Sequence, residues 1–264
     1  YLPPMDLWRK YLSAAAHHFK GRISHYEIMN EPNLIFKNSS EYVQYLEGAW
    51  EVLKGVDKDS KVIGLCVTGD LGGAPTSFLG SCLKLGALKY CDIVSFHPYN
   101  ARDLSSTVRA DNQINEMKNL CKNFGGKAYP LWNTELYYLH GRDSQNFAAT
   151  RCEPYHVARR FLTDLGEGLG QSITLPASII WESMTLENQL NQSVKNGDCP
   201  SGAYVVYNAL ARHFEGATAV AKIRWKPDCI CYVYKRRGKY IAAFWSYGEL
   251  RGLELKLNLS GMQT

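Results

Sequence analysis

Apolar positions along most of the chain alternate between two periods. From Met5 to Phe19 they recur every four residues at Leu7, Tyr11, Ala15 and Phe19, the spacing of one helix face. Ile23 to Asn30 (ISHYEIMN) then reads as a strand. Glu41 to Val56 carries Tyr42, Tyr45, Leu46, Ala49, Val52 and Leu53 on one side, an amphipathic helix that Ser39 or Ser40 is placed to cap. The unit of strand followed by helix repeats. Lys61 to Val67 precedes a helix over Thr76 to Leu88, with Thr76 as its cap. Asp92 to His97 precedes a helix over Asp111 to Phe124 that Gly125-Gly126 stops. Tyr129 to Leu136 precedes a helix over Pro154 to Gly166 with proline at its start, and Ala177 to Met184 precedes a helix over Gly202 to Phe214. Buried strands alternating with helices predict an α/β fold with a parallel sheet and right-handed crossovers.

After residue 215 the period shortens to two. Thr218 to Trp225, Cys229 to Lys235, Tyr240 to Ser246 and Leu253 to Leu259 alternate, separated by Lys226-Pro227-Asp228, Arg237-Gly238 and Gly248. That pattern predicts an antiparallel meander and divides the chain into domains at 1–215 and 216–264.

Composition narrows the partners. With 264 residues, 45% hydrophobic and 21% charged, the chain is of ordinary globular type. No apolar run approaches the ~20 residues of a membrane span. The net charge of +5 is modest and scattered, and its one cluster, Lys235-Arg236-Arg237, falls on an expected turn, so nucleic acid is not a favoured partner. None of the eight cysteines forms a CxxC pair. Most read as buried thiols, with one or two disulfides left open, and Cys229 and Cys231 share a strand face. No GxGxxG or P-loop follows any strand, which weakens a nucleotide-binding sheet. Polar residues gather instead at the strand ends: Asn30-Glu31, His97 and Tyr99, Glu135, and Trp181-Glu182. Barrel enzymes build their sites at that rim.

Four of these segments carry a resemblance. Tyr26-Glu27-Ile28-Met29-Asn30-Glu31-Pro32-Asn33 resembles the end of strand four in clan A glycoside hydrolases, where an Asn-Glu pair supplies the acid/base. Ser95-Phe96-His97-Pro98-Tyr99 resembles the end of strand six. Trp132-Asn133-Thr134-Glu135-Leu136 resembles the end of strand seven, which bears the nucleophile. Ile180-Trp181-Glu182 resembles strand eight. Asn-Glu-Pro-Asn is similar to the family of β-xylosidases and α-iduronidases, which also carries a β-sandwich. Met29 stands where many relatives have Trp.

The resemblance implies a (β/α)8 barrel of which residues 1–215 are the C-terminal five β/α units, followed by part of an antiparallel β-sandwich. It implies a retaining glycoside hydrolase with Glu31 as acid/base and Glu135 as nucleophile, acting on a glycan or glycoside with no metal or cofactor. Such chemistry needs one protonated and one ionised carboxyl group about 5–5.5 Å apart. Asn30 is expected to donate to the sugar 2-hydroxyl. His97 and Tyr99 are expected at the rim, binding sugar or holding Glu135 ionised. Trp181 is read as the floor of the sugar site, with core packing as its rival, and Glu182 as a sugar ligand or a group supporting one. Tyr137, Tyr138 and His140 line an outer subsite or cover a loop. By strand parity Trp132 should face the helices, and Glu27 should lie deep in the barrel beside a cation. Strands one to three have no counterpart here, so the chain is expected to be part of a longer protein, whose N-terminal part is its nearest partner. The competing class is a non-catalytic carbohydrate-binding protein on the same barrel.

Overall fold

The computed structural model describes residues 2–69, 77–98, 110–138, 147–176, 202–226 and 229–246. Its first layer is the helix α1 (Met5–Phe19), whose bounds are those the i+4 pattern predicts. Strand β1 (His25–Glu27) follows, then the single-turn α2 (Pro32–Ile35) and α3 (Ser39–Val56). The cap of α3 is Asn38, not Ser39 or Ser40: its side chain accepts the Glu41 N–H, and both serines lie inside the first turn. Strand β2 (Lys61–Thr68), helix α4 (Phe78–Lys84) and a 3-10 turn (Ala87–Tyr90) come next, with Ser77 capping α4. Strand β3 (Ile93–His97), α5 (Ala110–Gly125), β4 (Leu131–Tyr138), α6 (Phe147–Gly166) and β5 (Gln171–Pro176) complete the sheet, and α7 (Gly202–Phe214) follows. Pro154 lies within α6 rather than at its start.

The five strands form one parallel sheet in the order β1-β2-β3-β4-β5. Two strand expectations shift. The first strand is shorter than Ile23–Asn30 because Met29 takes a left-handed φ of 66° and turns the chain away from the sheet. The fifth strand is Gln171–Pro176, between Gly170 and Ala177; the expected Ala177–Met184 lies outside the described residues.

The sheet is curled into half a barrel. In a flat sheet, strands three places apart would be about 14 Å from each other. Yet the rings of His25 on β1 and Trp132 on β4 stack with centroids 5.2 Å apart. Trp132 therefore faces the concave side, contrary to its expected helix-facing position.

The convex face carries the core. Val62, Val67, Val94, Phe96 and Leu131 pack there against Leu12, Leu46, Ala49, Leu53, Leu83, Ile114 and Met117 of the helices. Gly64 allows α3 to come close, since a Cβ on it would lie 2.5 Å from Cys91 Sγ and 3.1 Å from Leu46 Cδ1. The six described cysteines that carry free thiols are all buried.

Strands β6 (Thr218–Lys226), β7 (Cys229–Arg236) and β8 (Lys239–Ser246) form the expected antiparallel meander; the fourth expected strand, Leu253–Leu259, lies outside the described residues. Arg237 and Gly238, at φ 48° and 78°, make the tight turn of its second hairpin. The meander packs Ile230, Tyr232 and Tyr234 on Leu162, Leu165 and Phe214. A charged seam adds to this joint. Lys222 lies 2.9 Å from the buried Asp111 and also bonds Glu167, which accepts the Tyr232 hydroxyl at 2.6 Å. No helix among the described residues is long and apolar enough to cross a membrane.

Candidate active site

The concave side of the sheet collects the polar strand ends. β1 stops pairing after the Ile28 N–H reaches Ile63 O at 3.0 Å. Glu31 then adopts φ 46°, ψ 56° immediately before Pro32, the first residue of α2. A following proline disfavours the right-handed helical region and favours extended backbone, so the left-handed turn of Glu31 is a special conformation that carries its side chain over the sheet.

Asn33 fixes that turn. Its Nδ2 donates to Thr68 O at 3.0 Å and its Oδ1 accepts the Thr68 N–H at 3.0 Å, so the side-chain amide pairs with the end of β2 as a neighbouring strand would.

His97 ends β3, every residue of which is buried. Its Nδ1 lies 2.9 Å from Glu31 Oε1, with the imidazole 1% and the carboxylate 19% exposed. The other ring nitrogen, Nε2, lies 3.3 Å from Cys66 Sγ.

Cys66 reaches this side through a bulge. Leu65 pairs with Ser95 and Val67 with Phe96, leaving Cys66 as the extra residue of β2. Leu65 and Cys66 both have positive φ, 75° and 40°, a conformation that typically costs about 1–3 kcal/mol per residue. The buried Tyr42 hydroxyl of α3 accepts the Leu65 N–H at 2.9 Å, so the bulge leaves that donor satisfied. Burial, and then the charge of Glu27, push the Cys66 thiol up to about 12.

Glu135 comes from β4, whose pairing with β5 shifts register between Asn133 and Leu136. The irregularity changes strand parity. Trp132 faces the concave side, Asn133 and Leu136 face the helices, and Glu135 returns to the concave side. Simple alternation would have put Asn133 and Glu135 on one face. Asn133 instead anchors β4 from behind: its Nδ2 donates to Asp164 Oδ2 at 2.8 Å, and Ser172 Oγ donates to the same oxygen at 2.7 Å. Arg160 Nε sits 2.8 Å from the other Asp164 oxygen, with both side chains buried.

The outcome is a cluster of three. One side-chain donor or acceptor atom from each of Glu31, His97 and Glu135 lies within 4.8 Å of the others, the sole such group of His, Cys, Asp and Glu among the described residues. Both imidazole nitrogens are in hydrogen-bonding contact within the protein, at Glu31 and Cys66.

Of the other expected site residues, Asn30 is exposed beside Glu31. Tyr99, Trp181, Glu182 and His140 lie outside the described residues, as do the side chains of Tyr137 and Tyr138. Glu27 is exposed instead of deep in a closed interior, because no described strand covers the outer edge of β1; it faces the Cys66 thiol. Sequence reasoning passed over Cys66, because VIGLCV after Lys61 is uniformly apolar and nothing in it marks a bulge.

No family profile matches the chain, and no curated protein does. Solved structures do. A family 39 glycoside hydrolase from the gut symbiont Bacteroides cellulosilyticus WH2 aligns with a TM-score of 0.66 at 16% identity, over 91% of this chain and 51% of its own. A GH39 β-xylosidase from Caulobacter crescentus aligns at 0.55 and 15%, over 90% and 53%. A β-porphyranase of glycoside hydrolase family 86 from Bacteroides plebeius aligns at 0.60 and 14%, over 90% and 48%. The chain spans about half the length of these structures. At such identities the likeness establishes the fold, an α/β half-barrel followed by a small antiparallel sheet.

Proposed function

We propose that the chain carries the catalytic residues of a retaining glycoside hydrolase, with Glu31 as acid/base and Glu135 as nucleophile. The observation that carries this reading is the approach of one oxygen of each carboxylate to within 4.8 Å of the other, from strand ends 104 residues apart in sequence. Retention requires about 5–5.5 Å, whereas inversion needs about 6.5–9.5 Å to admit a water between the groups. The glycoside hydrolases that share the fold are consistent with it.

In this mechanism Glu135 attacks the anomeric carbon while Glu31 protonates the departing oxygen. Glu31 then takes a proton from water, which displaces Glu135 from the glycosyl-enzyme. Through its Nδ1, His97 holds one oxygen of Glu31 and leaves the other to face the leaving group. Asn30 is proposed to donate to the 2-hydroxyl, and Tyr99, Trp181 and Glu182 are proposed as further sugar contacts. The sandwich-like sheet serves as an accessory domain.

A closed eight-stranded barrel needs three more β/α units between the outer edges of β5 and β1. We assign these to the remainder of a longer protein, which also shapes the subsites. The neighbours named above include a β-xylosidase and a β-porphyranase, so a panel of aryl glycosides and polysaccharides is the appropriate first screen.

The test uses azide rescue of the full-length protein. In Glu135→Ala turnover should fall by about a thousandfold or more, and azide should restore it with a glycosyl azide of inverted configuration. In Glu31→Ala azide should give the retained configuration. Unchanged turnover in folded Glu135→Ala would refute the assignment, and sugar binding without turnover by the parent would favour the carbohydrate-binding alternative.

A further inference from the structure

We infer that Cys66 is a positioning residue of this site, its thiol proton held on Nε2 of His97 so that Nδ1 carries the ring's own proton toward Glu31. The inference rests on the assignment of Glu31 as acid/base. It concerns a group that no part of that mechanism has used.

The geometry begins with the bulge. Cys66 is the one unpaired residue of β2, and its backbone and that of Leu65 are held at positive φ by the Tyr42 hydroxyl. Without the bulge, position 66 would continue the strand alternation. With it, Sγ comes 3.3 Å from Nε2, on the far side of the imidazole from Glu31.

The groups around the sulfur decide where its proton goes. The Glu31 backbone N–H and the Ser95 hydroxyl lie near it and favour its charged form. Glu27, from β1, and His97 Nε2, from β3, face it as acceptors. Glu27 is exposed, so water satisfies its carboxylate, whereas His97 is 1% exposed. A buried nitrogen left without a proton loses more than a solvated carboxylate does, so the thiol proton belongs on Nε2. Burial and the Glu27 charge keep the thiol protonated, so the donor persists at neutral pH.

This tautomer suits both half-reactions. When Glu31 is an acid, Nδ1–H bonds its carbonyl oxygen Oε1 and confines the acidic proton to Oε2. When Glu31 is a base, the same bond holds the carboxylate in place. The opposite tautomer would turn a lone pair toward Oε1 and draw the acidic proton onto the wrong oxygen. Glu135, within 4.8 Å of both, is a further carboxylate facing this pair.

The test is the ring-nitrogen spectrum of full-length protein labelled with 15N-histidine, with the His97 signals assigned by their loss in His97→Gln. The parent should show a protonated Nδ1 and a bare Nε2. Cys66→Ala should shift His97 toward a mixture of tautomers and lower kcat/KM by about three- to tenfold, the range of one lost hydrogen bond. Cys66→Ser, which keeps a donor, should recover most of both effects. A parent His97 protonated at Nε2, or a Cys66→Ala spectrum identical to the parent's, would overturn the inference. The tautomer is read without turnover, so an inactive parent would count against the hydrolase assignment and not against this one. If Cys66→Ala fails to fold, the parent spectrum alone still decides.

Discussion

Asn33→Ala should loosen the turn that presents Glu31. The substitution removes two 3.0 Å hydrogen bonds to the Thr68 backbone, one donated by Nδ2 and one accepted by Oδ1. A typical net value is about 0.5–1.5 kcal/mol per bond. The site is part-buried, so water replaces only some of the loss, and about 2 kcal/mol of stability is expected to disappear. The helix α2 has four residues and cannot hold itself. Its docking to β2 is what keeps Glu31 in the left-handed conformation. If most of the loss falls on docked α2, kcat/KM drops about tenfold, since about 1.4 kcal/mol corresponds to that factor. The assay pairs urea unfolding with kcat/KM on full-length protein, against the best substrate of the panel. A change under about 0.5 kcal/mol with unaltered kcat/KM would refute the role given to the amide pair.

Other outcomes follow from the same contacts. Tyr42→Phe leaves the Leu65 N–H without its acceptor and should cost about 1–3 kcal/mol in a urea titration; no measurable cost would mean that the bulge needs no support from α3. Gly64→Ala drives a Cβ to 2.5 Å from Cys91 Sγ and should cost about 1–3 kcal/mol, with part of the loss recovered in the Gly64→Ala/Cys91→Ala double variant. Strict additivity of the two substitutions would contradict the clash. Burial pushes the thiols of Cys66, Cys82 and Cys121 up to about 12 from an ordinary 9.0. Between those limits the unfolded chain releases protons that the folded chain keeps. Stability present below about pH 9 should therefore fall as pH rises toward about 12, and a urea midpoint that stayed flat from pH 8.5 to about 10.5 would argue against it.

The amount legible in the sequence differs from feature to feature. α1 and α7 are found at their predicted bounds because nothing interrupts their helical period, but the buried face of α1 carries Leu12 and Ala16, whereas Leu7 and Tyr11 of the expected stripe are exposed. The parallel order of the strands followed from the alternation of strand and helix, and the meander after residue 215 from its period of two and its turn residues. The pairing of Glu31 with Glu135 was anticipated from the motifs at two strand ends, since local pattern marks where a strand stops. Strand parity failed where the backbone is irregular. The register shift in β4 turned Trp132 inward and Asn133 outward, and the bulge in β2 turned Cys66 toward His97. Both irregularities are held by partners distant in sequence, Tyr42 for β2 and Asp164 behind β4, and no local window contains them. Asn33 was visible as part of Asn-Glu-Pro-Asn, but its clamp on Thr68 needed the fold.

The central claim is that Glu135 becomes covalently attached to the sugar during turnover. The most direct measurement is peptide mass spectrometry of the full-length protein after incubation with a 2-deoxy-2-fluoro glycoside of the sugar it hydrolyses, carrying a good leaving group. The account predicts one glycosyl adduct per active chain, on the peptide containing Glu135, and none in Glu135→Gln. An adduct on another residue, or full hydrolysis of the parent glycoside with inversion and no adduct, would contradict it.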